Sequence, residues 1–197
     1  MLVVKLGGSL AETGRLQAII DIVAHATLPV VIVPGGGPFA DAVRTIQPQL
    51  QIPDALAHKL ALLSMHQMGL VIASRHARFR PCLTLDAMGE ALALGAIPVW
   101  LPIALQYDDA TLPADWTVTS DALAARLAER MGEGARVALV KSCVIARGAT
   151  LDQLAADGIV DRVFSLVVRR AGLDWHVFGT GDEGELVRRI GQSFMIP

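Results

Sequence analysis

Two glycine clusters follow apolar segments of the sequence and are suited to binding phosphate. Gly7-Gly8-Ser9 follows LVVKL at residues 2–6, and Gly35-Gly36-Gly37 follows PVVIVP at residues 29–34. Where a strand leads through glycines toward a helix, backbone N–H groups can reach phosphate oxygens without obstruction by side chains. Two such loops on neighbouring strands would hold two phosphoryl groups face to face. Tight strand-to-helix turns, with no ligand, would need the same glycines.

Lysine is rare in this chain, and its placement is informative. The sequence has three lysines against fourteen arginines. Lys5 lies near the end of the first apolar segment, and Lys141 ends ARVALVK at residues 135–141. Ligands of parallel sheets bind beyond the carboxyl ends of the strands, where both ammonium groups would meet phosphate. The alternative is a packed lysine stem whose ammonium group reaches solvent.

Common nucleotide-binding motifs fit this sequence poorly. No Gly-Lys dipeptide occurs, which excludes a Walker A loop. Residues 35–40 match G-x-G-x-x-A, but the region about 20 residues further on is predicted to be helical and has no carboxylate at residues 57–62. Residues 179–184 also match, but Asp182 and Glu183 would repel a pyrophosphate. An oxidoreductase that binds a dinucleotide is therefore disfavoured.

The elements that must position these loops alternate along the chain. Apolar segments separated by amphipathic helices predict a parallel sheet covered on both faces. We expect an α/β fold, a three-layer α/β/α sandwich with a mainly parallel sheet, formed as one domain by residues 1–197. The predicted strands are 2–6, 29–34, 96–103, 135–141 and 174–178, and the predicted helices are 14–26, 39–46, 54–76, 86–95, 120–132, 151–157, 161–171 and 183–192.

Composition narrows the classes of protein. A chain of 197 residues with 53% hydrophobic and 18% charged residues is expected to fold around a core. A net charge of −2 without a basic cluster argues against a nucleic-acid partner. The apolar run at residues 91–105 contains two prolines and is shorter than a membrane span, so no membrane association is expected. Cys82 and Cys143 lack metal or redox spacing and are expected to be buried, reduced thiols of a cytoplasmic protein.

Three motifs together resemble the amino acid kinase superfamily. They are VVKLGGSL at residues 3–10, VIVPGGGPFADAVR at 31–44 and WTVTSDALAARLAE at 116–129. ALVKS at 138–142 lies where the strand of the family's nucleotide domain would be. Within the superfamily, VPGGGPFADAVR, TSDALAA and GIVDRVF at 158–164 are most similar to the small branch of [5-(aminomethyl)furan-3-yl]methyl phosphate kinases of methanofuran biosynthesis. That branch extends a phosphate monoester to a diphosphate.

The resemblance implies an ATP-dependent small-molecule kinase and assigns catalytic roles. Lys5 would bind the transferring phosphate, and Asp121 would orient the active-site lysines. Lys141 would contact nucleotide phosphate or supply a second positive charge. The phosphate and nucleotide side would also include Gly7, Gly8, Ser9, Ser120 and Ser142. Mg²⁺ would arrive on the nucleotide.

The acceptor side is expected to begin at the triple glycine, Gly35, Gly36 and Gly37. Asp41 and Arg44 follow it, three residues apart and so near one helix face. Arg44 could bind the acceptor's phosphate and Asp41 an acceptor amine, and a solvated ion pair is the alternative. His66 is predicted as the pocket histidine. His58 lies eight residues before it, too far along one helix to share a metal ion, and no metal site is predicted.

The resemblance also implies an acceptor-binding lobe at about 1–110, a nucleotide-binding lobe at about 111–197 and a homo-oligomer. Two departures from the family pattern keep a second hypothesis open. Ser142-Cys143-Val144-Ile145 replaces an Asp-Val-Asp-Gly turn, and a downstream Gly-Met-x-x-Lys lysine is absent. A protein of this fold that binds or stores its ligand without catalysis is therefore the alternative to a kinase.

Overall fold

A computed structural model describes residues 1–106 and 109–191. Within these residues, six strands form one sheet in the order β3-β4-β2-β1-β5-β6, and every pairing is parallel. This confirms the predicted α/β class and the parallel sheet. The strands are β1 (Leu2–Leu6), β2 (Val30–Pro34), β3 (Phe79–Cys82), β4 (Ile97–Trp100), β5 (Arg136–Val140) and β6 (Asp174–Phe178).

Helices cover both faces of the sheet and complete the predicted three layers. They are α1 (Leu16–Ala24), α2 (Gly37–Gln49), α3 (Asp54–Ala73), α4 (Leu85–Ala93), α5 (Ile103–Gln106), α6 (Ser120–Met131), α7 (Leu151–Ala156), α8 (Arg162–Ala171) and α9 (Glu183–Arg189), with a 3-10 turn at Gly8–Leu10. The hydrophobic core has two parts, one on each face of the sheet. Helices α6 and α8 contribute to one part, and α1 and α9 contribute to the other.

Strand alternation decides which face each side chain of β1 and β5 occupies. Val3 packs in the core on the α6 side, whereas Leu2 and Val4 pack in the core on the α1 side. Lys5 lies two residues after Val3 and therefore shares its face. Leu139 packs on the α6 side as well, and Lys141 follows it by two residues. Both lysines are thus directed toward the layer that contains α6.

Some predicted boundaries were wrong for identifiable reasons. β3 was missed because it is an edge strand with exposed Arg80 and Pro81, and an edge strand tolerates proline. The strand predicted at 96–103 is confined to β4, and α5 follows it. Cys143 is exposed, not buried as expected. Of the helix predicted at 183–192, α9 ends at Arg189, and residue 192 lies outside the described residues.

Helix α3 has the length and composition of a membrane span, but 44% of its most apolar window is buried inside the protein. Leu62 and Met65 belong to the core on the α6 side, and Ile72 belongs to the core on the α1 side. Its apolar content therefore has a packing role in this fold.

The packing of the core on the α6 side of the sheet should depend on Phe164, a residue of α8 that is fully buried. Phe164→Ala is expected to lower the free energy of unfolding by about 3–5 kcal/mol, because it removes a large apolar side chain and leaves a cavity. Leu166→Ala on the same helix is the control, since Leu166 is 65% exposed and its loss should change stability by less than about 0.5 kcal/mol. Urea unfolding measures both, and equal midpoints would contradict the assigned packing.

Candidate active site

The site lies where the strand order changes direction. The chain proceeds from β1 to β2 on one side and from β5 to β6 on the other, so β1 and β5 are neighbours at the switch point. Leu6 pairs with Pro34 and with Val140, which brings the carboxyl ends of three strands together. Ligands of open α/β sheets bind outside such a point. A cavity of about 630 Å³ opens there, between the two glycine loops and the first turn of α6.

The two glycine loops touch each other through their backbones. A Cβ atom on Gly8 would lie 2.4 Å from the backbone N of Gly37, and one on Gly35 would lie 2.4 Å from the backbone N of Gly8. No side chain fits at either position. Gly36 caps α2 and Gly37 begins it, with a positive φ of 54°. Their N–H groups belong to a helix start, where no partner exists within the helix. The glycines thus place polar backbone groups of both loops side by side.

A buried ion cluster forms the floor of the cavity. The Lys5 Nζ lies 2.7 Å from Asp121 Oδ1, and the Lys141 Nζ donates a hydrogen bond to Asp121 Oδ2. Asp121 is 2% exposed. Each carboxylate oxygen therefore holds one ammonium group, and the lysines come from neighbouring strands. The structure brings together the three residues that the sequence predicted as catalytic.

The protonation of this cluster follows from burial and charge. Burial alone would raise the pKa of Asp121, but the ammonium groups of Lys5 and Lys141 and their hydrogen bonds hold it below its usual range. Burial, together with the nearby charge of Lys5, lowers the pKa of Lys141, and Asp121 opposes this shift. With all three groups ionised, two positive charges face one negative charge. The two ammonium groups can stabilise a phosphoryl group as charge develops on it.

Asp161 is a residue of the site that was not predicted from the sequence. This residue precedes α8 and lines the cavity. Its Oδ2 accepts hydrogen bonds from the Thr119 N (3.0 Å), from the Thr119 Oγ1 (2.6 Å) and from the Ala122 N (3.1 Å). Its Oδ1 accepts one from the Phe164 N. An Asp before a helix predicts a local N-cap, and here the same carboxylate also bonds to the start of α6, about 40 residues earlier.

The other end of the cavity carries an ion pair and a tryptophan. The Arg44 Nη1 lies 2.9 Å from Asp41 Oδ1, and the two side chains are 53% and 52% exposed. The Arg44 guanidinium carbon lies 4.7 Å from the ring centre of Trp116, a cation–π contact. The ion pair, which was the alternative to a ligand-binding role for these two residues, is present, and both residues line the cavity.

His66 was expected to be the pocket histidine, but the structure places His58, and not His66, in the lining of the cavity. Eight residues correspond to a rotation of about 80° around a helix, so the two rings face different directions. The His58 Nδ1 lies 3.2 Å from the carbonyl oxygen of Asp115. Burial lowers the pKa of His58, and this hydrogen bond partly opposes the shift.

Most of the predicted site residues meet in this cavity. Besides His66, the predicted residues that do not line it are Gly7, Gly35 and Ser142. The Ser142 Oγ lies 2.7 Å from the Ser9 Oγ, and the Gly7 N donates to the Val140 carbonyl oxygen. The predicted residues that line the cavity are Lys5, Gly8, Ser9, Gly36, Gly37, Asp41, Arg44, Ser120, Asp121 and Lys141.

The cavity does not offer a ready protein site for a metal ion. Across residues 1–106 and 109–191, no group of three or more His, Cys, Asp and Glu side chains is arranged to hold one. The buried carboxylates at the floor are occupied: Asp121 pairs with lysines and Asp161 accepts four hydrogen bonds. These residues do not fit a protein-held Mg²⁺ ion.

Comparison with known proteins identifies the family. The profile of the amino acid kinase family matches residues 1–141, which include both glycine loops, Asp121 and Lys141. The chain belongs to the amino acid kinase family. A relative in Methanocaldococcus jannaschii, [5-(aminomethyl)furan-3-yl]methyl phosphate kinase, is 33% identical over 125 residues. The aligned part is 62% of this chain and spans little more than half, 57%, of that relative.

The fold of this amino acid kinase family member also has a solved counterpart. The crystal structure of uridylate kinase from Archaeoglobus fulgidus aligns with a TM-score of 0.65, covering 98% of this chain and 97% of that one. The sequence identity is 16%, so the likeness concerns the fold.

The ion cluster makes a prediction about stability and pH. Asp121→Asn removes the charge between two lysines and is expected to lower the free energy of unfolding by about 3–5 kcal/mol at pH 7. The lowered folded-state pKa of Asp121 stabilises the fold above the ordinary Asp pKa, about 3.9. This stabilisation is lost as pH falls through the folded-state value. Urea unfolding from pH 7 to pH 3 should therefore show the difference between wild type and variant shrinking below about pH 4.

The matched control for that series is Asp152→Asn, in the exposed Arg169–Asp152 pair. Its loss should change stability by less than about 1 kcal/mol. A difference between wild type and Asp121→Asn that stayed constant down to the acid range would show that Asp121 holds no buried charge.

Proposed function

We propose that this chain is an ATP-dependent kinase that phosphorylates a small phosphate monoester carrying an amine, [5-(aminomethyl)furan-3-yl]methyl phosphate, to a diphosphate. The observation that carries the proposal is the pair of ammonium groups held by Asp121 at the floor of the crevice. The match to a relative of that name supports the choice of acceptor.

The reaction joins two negatively charged groups that repel each other, and the residues of the cavity offset this repulsion. An oxygen of the acceptor phosphate attacks the γ-phosphorus of ATP, the bond between that phosphorus and the β–γ bridging oxygen breaks, and ADP leaves with the electron pair. Lys5 and Lys141 stabilise charge on the transferring group, and the N–H groups of the glycine loops hold its oxygens. Asp121 orients both lysines and does not touch the phosphoryl group.

The position of Lys141 supports an answer to one departure from the family pattern. The downstream lysine is absent, but the ammonium group of Lys141 lies on the same carboxylate as that of Lys5. It would supply the second positive charge from the residue that follows β5. This placement favours catalysis over the ligand-storage hypothesis.

ATP and the acceptor would bind to different lobes. Ser9, Ser120 and Ser142, with residues of about 111–197, would bind the nucleotide, and its own phosphate oxygens would hold Mg²⁺. The acceptor would bind in the lobe at about 1–110, against Gly35, Gly36 and Gly37. Arg44 would contact the acceptor's phosphate and Asp41 its amine, since both side chains are half exposed at the cavity rim.

The lysines make the sharpest test of the kinase proposal. With ATP and [5-(aminomethyl)furan-3-yl]methyl phosphate, Lys5→Ala should lower kcat by about 10²-fold or more. Lys141→Arg should lower kcat/KM at least about tenfold, or about 1.4 kcal/mol, because a planar guanidinium cannot replace a compact ammonium charge. Lys59→Arg is the control, because Lys59 lies on α3 and does not line the cavity.

The measurement is the rate of ADP release with purified, folded variants. Wild-type kinetics in Lys141→Arg would leave Lys5 as the sole catalytic lysine. Melting that shifts with ATP, but without turnover by the wild type, would favour the binding or storage protein.

We further propose a cytoplasmic homo-oligomer that associates through α3. Leu56, Leu63 and Leu70 are spaced seven residues apart on this helix and are 48%, 44% and 49% exposed. Such spacing forms an apolar stripe that a second helix can cover.

Leu63→Arg should therefore shift the mass measured by light scattering toward the monomer. Leu94→Arg is the control, since Leu94 is exposed beyond α4; equal masses for wild type and Leu63→Arg would exclude this interface.

A further inference from the structure

The carboxylate of Asp161 joins two helix starts at the wall of the cavity. Within its own helix it acts as the N-cap of α8, through the Phe164 N. Its other oxygen bonds to two backbone N–H groups and one hydroxyl group at the start of α6. Thr119 is already the N-cap of α6, with its Oγ1 3.3 Å from the Asp121 N. Asp161 therefore bonds to Thr119, the N-cap residue of the helix that carries Asp121.

We propose that Asp161 is a positioning residue of the phosphoryl-transfer site, which holds the first turn of α6 against α8 and thereby fixes Asp121 between its two lysines. The inference rests on the proposed kinase function for its kinetic consequence. Its structural content, the orientation of the ion cluster, does not depend on that function.

A carboxylate suits this position better than any neutral side chain of the same shape. All of its neighbours at hydrogen-bond distance act as donors: three to Oδ2 and one to Oδ1. Asn would direct an NH2 group at one of the two helices, where it would meet other donors. An Asn side chain can therefore cap α6 or α8 but not both. Asp161→Asn should therefore break the contact between the starts of α6 and α8, and it should affect this contact more than the stability of either helix alone.

The charge of Asp161 also reaches the lysines. Lys141 is faced by Lys5 from β1, by Asp121 from α6 and by Asp161 from the start of α8. Burial and the charge of Asp121 raise the pKa of Asp161, while its hydrogen bonds oppose that shift. As a carboxylate, Asp161 helps to keep Lys141 protonated against burial and the repulsion of Lys5. Its removal should make Lys141 lose its proton at lower pH.

The kinetic experiment compares Asp161→Asn with Thr84→Ala. Thr84 caps α4 and does not line the cavity, and its loss removes one ordinary cap. Both variants should melt at lower temperature. Asp161→Asn alone should lower kcat at least about tenfold, with the KM for ATP changed less than about threefold, because misplaced catalytic groups slow chemistry more than binding. The alkaline limb of its pH profile for kcat should move to lower pH.

A second measurement needs no activity. The chain has three lysines, so NMR of selectively ¹³C-labelled lysine side chains can follow each of them through a pH titration. Asp161→Asn should lower the titration midpoint of Lys141 relative to wild type and leave that of Lys59 unchanged. Thr84→Ala should leave both unchanged.

The outcomes separate the two proposals. If Asp161→Asn lowers the melting temperature but retains the wild-type kcat, pH profile and Lys141 titration, Asp161 is only a helix cap and the inference is overturned. If the wild-type protein has no turnover, the kinase proposal fails, and the Lys141 titration still decides whether Asp161 controls the ion cluster.

Discussion

The contact between one buried carboxylate and two ammonium groups is the interaction on which this structure depends. Removing charges from water is costly, and a buried ion cluster seldom stabilises a fold more than apolar packing would. Asp121 and its two lysines nevertheless occupy the centre of the sheet's carboxyl edge. Two ammonium groups on one buried carboxylate are justified if an anionic ligand completes the cluster. The kinase proposal supplies that ligand.

The sheet topology explains how residues far apart in sequence form this cluster. β1 and β5 are neighbours, and the alternation of side chains directs Lys5 and Lys141 to the same face. Helix α6 covers that face, and its first turn presents Asp121. The glycine loops after β1 and β2 then bring their backbones into contact beside the lysines. The fold thus concentrates positive charge and backbone donors where two phosphoryl groups would meet.

Much of this arrangement could be predicted from sequence, since the buried strands of a parallel sheet are unbroken apolar runs. The positions of Lys5 and Asp121 in the site were predicted from motifs, whereas the contact of Lys141 with the same carboxylate needed the structure. β3 was missed because Arg80 and Pro81, which are exposed on this edge strand, interrupt the apolar run that predicts a buried strand. His66 was chosen over His58 because spacing along a helix does not reveal which direction faces a cavity.

Asp161 shows a different limit of sequence reasoning. Its position before an amphipathic segment is typical of an N-cap, and that local role is present. Its bonds to α6 depend on how two helices pack, which no local pattern encodes. Residues that act between elements are therefore the ones that sequence reasoning misses in this site.

The central claim is that Lys5 and Lys141 act on one transferring phosphoryl group, with Asp121 holding both. A crystal structure with Mg²⁺, ADP, aluminium fluoride and [5-(aminomethyl)furan-3-yl]methyl phosphate tests it directly. The account predicts that the planar aluminium fluoride contacts the Nζ atoms of both lysines, between ADP and the acceptor phosphate, while Asp121 remains bonded to both. An aluminium fluoride group bound away from either lysine, or a direct contact between it and Asp121, would contradict the account.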